Sequence, residues 1–345
     1  MEDLKLTERE GIVLKTLILT YLETARPVGS RTLSKTIIPK LSPATIRNNL
    51  ADLDEKGLLK KPHTSAGRIP TIEGYRYYVN NLLSPKGLDQ SERNTILRVI
   101  KAEYEDMFEF LDAVSQTLSS LSHQLGIIIP PLGENLRLYR LDVIPVSAER
   151  IHLVISTTGG KVRSVILNLP SPLEMHTLFS TCAILNERLS GLSLAEIRST
   201  IRRRLGDIYS LKNSFLSSVL DRADSIFHFD PKKNIHYHGT MELLNQPEFH
   251  ETNKMRALFS LLETRSDLSN YLSLACPPQG IKIRIGGVDE GFSFVSCQFE
   301  SKYGDGIVGL IGPLRMDYGK AMSIISFSGD YLSRILRCEM LNNGG

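Results

Sequence analysis

The stretch from Ser42 to Gly57 constrains the fold of this 345-residue chain most, because it carries both a start and a stop signal for one helix. Serine readily accepts a hydrogen bond at a helix N-cap, and Pro43 suits the first helical position, where an N–H group is not needed. Gly57 suits the left-handed position that follows a helix C-cap. The pattern predicts a helix from Pro43 to Lys56. Its buried face is expected to hold the apolar residues at helical spacing, Ile46, Leu50 and Leu53.

The opposite side of that helix carries short and polar side chains. Ala44 and Asn48 project away from the apolar face, and Thr45 and Arg47 flank them. In the DNA major groove an asparagine amide can bond an adenine edge, an arginine can fork onto guanine or phosphate, and an alanine methyl can touch a thymine methyl. Free N–H groups at the helix N-terminus can also bind phosphate. This face is typical of a DNA recognition helix, although an ordinary solvated helix would carry similar residues.

The flanking segments predict a winged helix-turn-helix over residues 1–84. The expected elements are helices at 7–23, 30–36 and 71–83 and short strands at 58–61 and 68–70. The two strands and their connecting turn form the wing. We predict DNA contacts on the two middle helices and the wing, at Ser30, Arg31, Ser42, Ala44, Thr45, Arg47, Asn48, Lys60, Lys61, His63, Thr64 and Arg68.

Positive charge is concentrated in the same segment. Residues 1–84 hold 13 lysines or arginines against 9 aspartates or glutamates, a net charge of +4, whereas the rest of the chain holds 28 against 29. From Arg26 to Arg76 there are ten basic and four acidic residues. Such clustering is typical of a surface that faces phosphate, although charge alone would equally describe a solvated face.

Two motifs elsewhere allow an enzymatic or a metal-binding interpretation. Gly304–Gly309 matches the spacing GxGxxG, but a dinucleotide site needs a helix after that loop, and a β-like segment with Pro313 follows instead. His236 and His238 could hold a metal, yet a nearby third ligand type is missing from the sequence pattern. We therefore predict a chain that is not an enzyme and has no catalytic residue, cofactor or metal.

The sequence also favours a cytoplasmic protein without a membrane partner. Residues Met1 to Lys5 contain two acidic residues and no apolar run, so a signal peptide is not expected. The apolar stretches of the chain are shorter than the roughly 20 residues that span a bilayer.

The remaining three-quarters of the chain predict an α+β fold. Apolar residues from Leu97 to Leu125 keep heptad spacing, which predicts one long helix that packs either on a second subunit or on the chain's own sheet. Tyr104 is a poor zipper residue and favours the intrachain partner. Strands are expected at 136–146, 150–157, 161–169, 281–286, 292–300 and 306–311, and helices at 172–189, 193–205, 211–227, 252–274 and 317–340. We interpret this order as one antiparallel sheet interrupted by a helical insertion.

Several segments resemble the HrcA family of heat-inducible transcription repressors. The matching segments are Pro27–Lys35 (PVGSRTLSK), Leu41–Asn48 (LSPATIRN), Pro62–Pro70 (PHTSAGRIP), Gly74–Val79 (GYRYYV) and, near the other end of the chain, Gly309–Tyr318 (GLIGPLRMDY). Asn49 and Leu50 depart from the family pattern, in which an acidic residue and a methionine are more usual. Both lie on or beside the buried helix face, so they bear little on the predicted base contacts.

The resemblance implies a bacterial repressor that works as a homodimer. Its operator would be an inverted repeat of double-stranded DNA, the CIRCE element, upstream of chaperone operons of the groE and dnaK class, which stay repressed until heat shock. The GroEL chaperonin would keep the repressor active. The implied domains are a winged helix-turn-helix at 1–84, a GAF-like domain in two segments, 85–191 and 246–345, and a mainly helical inserted dimerisation domain at 192–245.

Two other hypotheses stay open beside the chaperonin-linked repressor. A winged-helix regulator whose GAF-like domain binds a small ligand would respond to a specific metabolite. A nucleotide-using enzyme built around Gly304–Gly309 would bind a dinucleotide.

Overall fold

The chain forms a mixed α+β fold. The computed structural model describes residues 4–36, 41–62, 67–84, 87–104, 107–130, 136–158, 162–207, 213–228, 235–264, 268, 280–286, 291–301 and 304–338. Within these residues the helices are α1 Glu8–Thr24, α2 Ser30–Thr36, α3 Pro43–Glu55, α4 Ile72–Tyr77, α5 Gln90–Ile100, α6 Met107–Ser122, α7 Met175–Leu189, α8 Leu194–Arg204, α9 Ser214–Asp221, α10 Ala223–Ile226, α11 Thr240–Leu244, α12 Thr252–Glu263 and α13 Tyr318–Cys338. The strands are β1 Leu59–Lys60, β2 Ile69–Pro70, β3 Leu125–Ile129, β4 Leu138–Ser147, β5 Arg150–Thr157, β6 Val162–Asn168, β7 His236–His238, β8 Ile281–Ile285, β9 Phe292–Ser301 and β10 Gly304–Pro313.

The N-terminal unit, residues 4–84, combines α1 to α4 with the antiparallel pair β1–β2. Its elements begin and end close to where the sequence predicts them. Helix α1 starts where predicted because Thr7 and Glu10 form a capping box. The Thr7 hydroxyl accepts from the Glu10 N–H at 3.3 Å, and the Thr7 N–H donates to the Glu10 carboxylate at 2.8 Å. The predicted closing helix is α4 followed by a π-helical turn, Tyr78–Leu82.

A five-stranded antiparallel sheet in the order β7-β3-β10-β9-β8 forms the centre of the molecule. Helices α5, α6 and α13 pack on one face, and α11, a 3₁₀ turn at Pro247–His250 and α12 pack on the other. We call this sheet with its five helices and 3₁₀ turn the sheet domain. All residues of β3 are buried, because helices cover both of its faces.

The N-terminal unit and the sheet domain share one hydrophobic core. Leu17 and Ile46 of the N-terminal unit belong to the same buried cluster as Ile128 of β3, Val308 of β10 and Ile324 of α13. The two regions therefore meet through apolar side chains and are joined by more than a linker.

The inserted unit, residues 136–228, is a three-stranded antiparallel sheet, β4-β5-β6, covered on one face by α7 to α10. It lies between β3 and β7 in the chain. Its buried side chains, such as Leu153, Leu185 and Phe215, form a cluster of their own. The inserted unit is thus a separate packing unit.

Two sequence-based expectations about this region are corrected. The six expected strands from 136 to 311 belong to two sheets, because β4, β5 and β6 pair in one sheet, while β8, β9 and β10 share a sheet with β3 and β7. The boundaries predicted for the insertion, 192–245, also differ from those of the hydrophobic cluster that contains Leu153, which extends from Leu136 to Phe227. The predicted boundaries would separate α8 from β4 to β6, although Ile197 and Ile201 of α8 are buried in the same cluster as Leu153.

The prediction of a single long helix from Leu97 to Leu125 is wrong. The segment folds as α5 and α6 and then enters β3. Tyr104 closes the end of α5, since its hydroxyl donates to the Val99 carbonyl at 3.0 Å and its ring packs on Phe110. The apolar spacing continues across the break because both helices face the same sheet, which agrees with the expected intrachain role of this pattern.

The two motifs that suggested other chemistry have structural roles. Gly304–Gly309 is the first part of β10 and pairs in antiparallel register with Ser296–Ser301 of β9, and a helix does not follow it directly. The nitrogens His236 Nδ1 and His238 Nε2 lie 2.9 and 3.1 Å from the Asp112 carboxylate, as direct contacts between β7 and α6. In the part of the chain that the structure describes, His, Cys, Asp and Glu side chains do not form a group of three suited to a metal ion. Across the same residues, each helix is too short or too polar to cross a membrane.

Candidate nucleic-acid interface

Helix α3 has well-formed caps at both ends. The Ser42 hydroxyl accepts from the Thr45 N–H at 3.1 Å, so Ser42 is the N-cap that the sequence predicts. At the other end Gly57 has φ +73°. The N–H groups of Gly57 and Leu58 donate to the carbonyls of Asp54 and Leu53, both at 3.0 Å. These two bonds form a Schellman motif, which fixes where β1 leaves the helix.

The two faces of α3 differ as the sequence predicts. Ile46, Leu50 and Leu53 are buried in the shared core. Ala44, Arg47 and Asn48 are exposed, and Thr45 is half-buried. The helix therefore presents small and polar side chains to solvent over its first two turns.

The side chains of Thr45 and Asn49 form hydrogen bonds within α3 and its N-cap. The Thr45 hydroxyl lies 2.9 Å from the Ser42 hydroxyl, and the buried Asn49 amide donates to the Thr45 carbonyl at 2.8 Å. Asn49 therefore contacts α3 itself and does not reach the exposed face. An asparagine at position 49, where the family more usually has an acidic residue, therefore does not change the side chains that α3 exposes to solvent.

Helix α2 lies against α3 and carries two exposed cations, Arg31 and Lys35. Leu33 anchors α2 in the core, Ser30 at its first position is half-buried, and Arg31 is exposed. The connection before α2 is tied to the wing, because Val28 and Arg68 exchange two backbone hydrogen bonds of 2.9 and 2.8 Å. A Cβ atom on Gly67 would come within 2.5 Å of the Val28 backbone, so this close approach requires glycine.

The two predicted lysines lie at the β1–β2 pair, Lys60 in β1 and Lys61 directly after it. Leu59 pairs with Pro70 and Lys60 with Ile69, and both Lys60 and Lys61 are exposed. His63 and Thr64 lie outside the described residues, so their predicted DNA contacts stay predictions.

Arg68 has a different environment from the other predicted contact residues. Its side chain is only 15% exposed, and Nε lies 3.0 Å from the Asp54 carboxylate, an ion pair without the alignment of a good hydrogen bond. The side chain joins β2 to the end of α3. The structure therefore gives Arg68 a contact inside the unit, and the exposed set consists of Arg31, Ala44, Arg47, Asn48, Lys60 and Lys61 together with the N-cap Ser42.

One ion pair that supports α3 is absent from the sequence-based expectations. Lys56 Nζ lies 2.5 Å from Glu10 Oε1, and Glu10 is only 4% exposed. Burial alone raises the pKa of Glu10, but hydrogen bonds from Lys56 and Thr7 outweigh it, and the pKa is lowered from 4.5. The capping box identifies Glu10 from local sequence, whereas Lys56 is 46 residues away and carries no local signal.

A second exposed surface of opposite chemistry lies on the inserted unit. The face of the β4-β5-β6 sheet that α7 to α10 leave uncovered presents the apolar side chains Ile144, Val146, Val154, Val162 and Ile166, which we call the outer sheet face. Four of them are between 42% and 65% exposed. Ile144 and Ile166 align across the sheet through His152.

Comparisons with known proteins agree over almost the whole chain. The family described as "HrcA protein C terminal domain" matches residues 109–322. Relatives named "Heat-inducible transcription repressor HrcA" include those of Chlorobium phaeobacteroides (34% identical) and Halalkalibacterium halodurans (32% identical), each covering 96% of this chain and 98% of the relative.

A solved structure supports the same fold. The crystal structure of a hypothetical protein at 2.2 Å resolution has a TM-score of 0.63 and 25% sequence identity, over 97% of this chain and 99% of that one. Together with the family match and the full-length relatives, this establishes the family. The chain belongs to the HrcA family, whose named relatives are heat-inducible transcription repressors.

Proposed function

We propose that this protein is a dimeric cytoplasmic repressor whose N-terminal unit is a winged helix-turn-helix and whose α3 enters the DNA major groove. The observation that carries the proposal is the division of α3 into a buried apolar face and an exposed face with Ala44, Arg47 and Asn48. Side chains of these types can bond or touch base edges. The sheet domain then corresponds to the GAF-like domain of the family resemblance.

The exposed polar residues divide into two roles. Arg47 and Asn48 stand on the helix that would reach base edges, so they would determine sequence preference. Arg31 on α2 and Lys60 and Lys61 on the wing lie outside that helix, and we assign them to phosphates. The positive end of the α3 dipole, at Ser42, would also attract phosphate.

The outer sheet face is our candidate for the dimer interface. An inverted repeat requires a two-fold symmetric protein, and a two-fold interface places the same patch on both subunits. A largely apolar face can pack against its own copy, and the charge of Asp142 beside Val154 is paired with Arg140. Ile144 and Ile166 lie on adjacent parts of this face, and exposing them to water in a monomer is unfavourable.

The operator and the control mechanism follow from the family resemblance. We propose a CIRCE-type inverted repeat upstream of chaperone operons, and GroEL as the partner that maintains the DNA-binding form. Unfolded proteins that occupy the chaperonin after heat shock would then release the operons. A transcription repressor of this kind needs neither a catalytic residue nor a cofactor.

A cleft in the sheet domain keeps ligand control as a second candidate. It has a volume of about 360 Å³ and lies between α5, β8 and α13. Its lining combines the apolar side chains Leu88, Met322 and Phe327 with Arg93 and Asp330. This size suits a small metabolite, and the opposite charges suit a ligand that carries both an acidic and a basic group.

The test is equilibrium binding of the full chain to a CIRCE-type repeat and to a scrambled duplex across a salt series, with and without GroEL. We expect a strong preference for the repeat that GroEL enhances. Arg47→Ala serves as the matched variant, because it removes an exposed side chain of α3 and leaves the caps intact. Equal, weak and salt-sensitive binding to both duplexes would contradict operator recognition. A metabolite that restores preference without GroEL would favour the second candidate.

A further inference from the structure

Arg315 connects the two regions that share a core. It lies between β10 and α13 in the sheet domain, and its Nη1 donates to the Leu22 carbonyl at the end of α1 at 2.7 Å. Its Nε and Nη2 bond the Glu248 carboxylate at 2.5 and 3.2 Å. The two side chains are only 15% and 20% exposed. We call Leu22, Glu248 and Arg315 the Arg315 junction.

The junction supplies what α1 itself lacks. The last turn of α1 contains no basic residue, although the carbonyl groups at a helix C-terminus favour a cation. Arg315 provides that cation from 293 residues further along the chain. Glu248 holds Arg315 from within the sheet domain, and the N-terminal unit accepts its hydrogen bond through the Leu22 backbone carbonyl.

The contacts around the junction differ in kind. The rings of Tyr75 and Tyr318 pack with their centroids 6.0 Å apart, and Ile72 lies against Gly286. Such apolar contacts hold the regions together but set their angle weakly, because hydrophobic attraction is non-directional. Arg76 of α4 adds a single direction, since its Nη2 donates to the Ile285 carbonyl of β8 at 2.9 Å. An arginine that forks onto a carboxylate and donates to a carbonyl fixes three directions at once.

We propose that Arg315, held by Glu248, is a positioning residue for operator binding that sets the angle of the N-terminal unit on the sheet domain. This inference rests on the proposed function, because it concerns a dimer that reads an inverted repeat. In such a dimer the angle of each N-terminal unit fixes the distance between the two copies of α3, and that distance must match the spacing of the half-sites. Arg315 therefore determines which spacing the dimer accepts, although it contacts no DNA.

The experiment measures binding of full-length variants to duplexes whose half-sites stand at the operator spacing, or are moved apart by one and by two base pairs, and to a single half-site. For Arg315→Gln we expect affinity at the operator spacing to fall about tenfold, because a loosely held unit lowers the effective concentration at the second half-site. Affinity for the single half-site should stay within about twofold, because Arg315 is remote from the exposed face of α3. The preference for operator spacing over shifted spacing should decrease.

Two further variants and a control separate positioning from folding. Glu248→Gln removes the charge of the partner but keeps its shape, and we expect the same change of spacing profile at smaller amplitude. Arg315→Lys keeps the bond to Leu22 but cannot fork, so it should restore part of the spacing preference. Arg337→Gln breaks an exposed pair with Glu300 in the same domain and should leave the profile unchanged. Near-ultraviolet circular dichroism and sedimentation establish that each variant is folded and dimeric.

The outcomes distinguish this inference from the proposed function. If the wild-type protein prefers the repeat but Arg315→Gln and Glu248→Gln keep its spacing profile, the positioning role is refuted and the repressor function stands. Equal losses on the half-site and the repeat would also refute it, because they would mean that Arg315 only supports the folding of the N-terminal unit. If Arg315→Gln does not fold, Glu248→Gln and Arg315→Lys decide. A wild-type protein that binds half-site and repeat alike would refute the proposed function itself.

Discussion

The N-terminal unit and the inserted unit are built alike but expose opposite chemistry. Each packs four helices against a small antiparallel sheet. The N-terminal unit leaves cations and short polar side chains outside, such as Arg47, Asn48 and Lys60, whereas the inserted unit leaves Ile144 and Val162 outside. The residues excluded from each core favour the proposed partners: a polyanion for the N-terminal unit and an apolar protein surface for the inserted unit.

The two units also differ in how they join the rest of the molecule. The core of the N-terminal unit continues into the sheet domain, while that of the inserted unit is separate. A change inside the N-terminal unit should therefore be felt in the sheet domain. A change inside the inserted unit should affect assembly first.

The largest expected effect comes from a charge on the outer sheet face, which tests whether this apolar surface joins two subunits. Ile144→Asp places a charge on the outer sheet face, where the side chain is 55% exposed in the isolated chain, so the subunit should still fold. If this face joins two copies, the dimer should dissociate and affinity for the inverted repeat should fall about 100-fold or more, because the second half-site is no longer bound in the same complex. Sedimentation and binding to repeat and half-site duplexes measure this.

Met241→Asp is the matched control for that variant. Met241 is 68% exposed but lies on α11 in the sheet domain. We expect its assembly and operator affinity to match the wild type. An Ile144→Asp protein that stays dimeric at micromolar concentration would exclude the outer sheet face as the interface.

The next effect tests the shared core against the separate one. Leu17→Ala and Leu153→Ala each remove a fully buried side chain, one from the N-terminal unit and one from the inserted unit. Each should lower the free energy of unfolding by about 2–5 kcal/mol. Amide hydrogen exchange in β9 and β10 should accelerate in Leu17→Ala, because its cluster includes these strands, and should change little in Leu153→Ala. Equal exchange in both variants would contradict the division of the cores.

A smaller effect is expected for single exposed polar side chains of the N-terminal unit, and it separates base contacts from phosphate contacts. Asn48→Ala should cost about 1–3 kcal/mol of operator affinity and relax the preference at one base pair, if the amide binds a base edge. Lys60→Ala should instead weaken binding to all duplexes similarly and reduce the salt dependence by about one phosphate contact. Fluorescence anisotropy with single-base variants of the repeat distinguishes the two. Sequence preference that changes with Lys60 and not with Asn48 would reverse the assigned roles.

The success of the sequence-based predictions follows the range of the interactions involved. Helices α1 and α3 are predicted well because Thr7, Ser42 and Gly57 act on backbone groups within a few residues. Strand β3 is missed because its apolar run extends the helical spacing of α6, and only a sheet covered on both faces explains why all of it is buried. The division into two sheets depends on hydrogen bonds between distant segments, which a pattern of separate strands cannot specify.

The candidate site shows the same limit. The exposed residues of α3 follow from helical geometry and from the apolar face opposite them. Arg68 carries the same local signal as Lys60, yet the tertiary position of Asp54 draws its side chain inward. The contact between Arg315 and Leu22 joins residues from opposite ends of the chain, so no local pattern identifies it.

The smallest expected effect concerns the ion pair that holds α3 to α1. Glu10→Gln keeps the capping box possible but removes the charge that pairs with Lys56, and we expect a loss of about 1 kcal/mol or less at neutral pH, because Lys56 is partly exposed. The pKa of Glu10 is lowered from 4.5 in the folded protein. Its stabilisation is therefore present above the unfolded pKa and is lost as the pH falls through the folded pKa.

Urea unfolding of wild type and Glu10→Gln from neutral pH to below pH 4.5 measures that difference. The two proteins should differ at neutral pH and converge in acid, since protonated Glu10 resembles glutamine. Glu73→Gln removes the acid of an exposed pair with Arg76 on α4 and should change stability little at any pH. A difference that persists unchanged in acid would mean that Glu10 acts through its cap geometry alone. The ion pair between Glu10 and Lys56 would then contribute nothing to the free energy of unfolding.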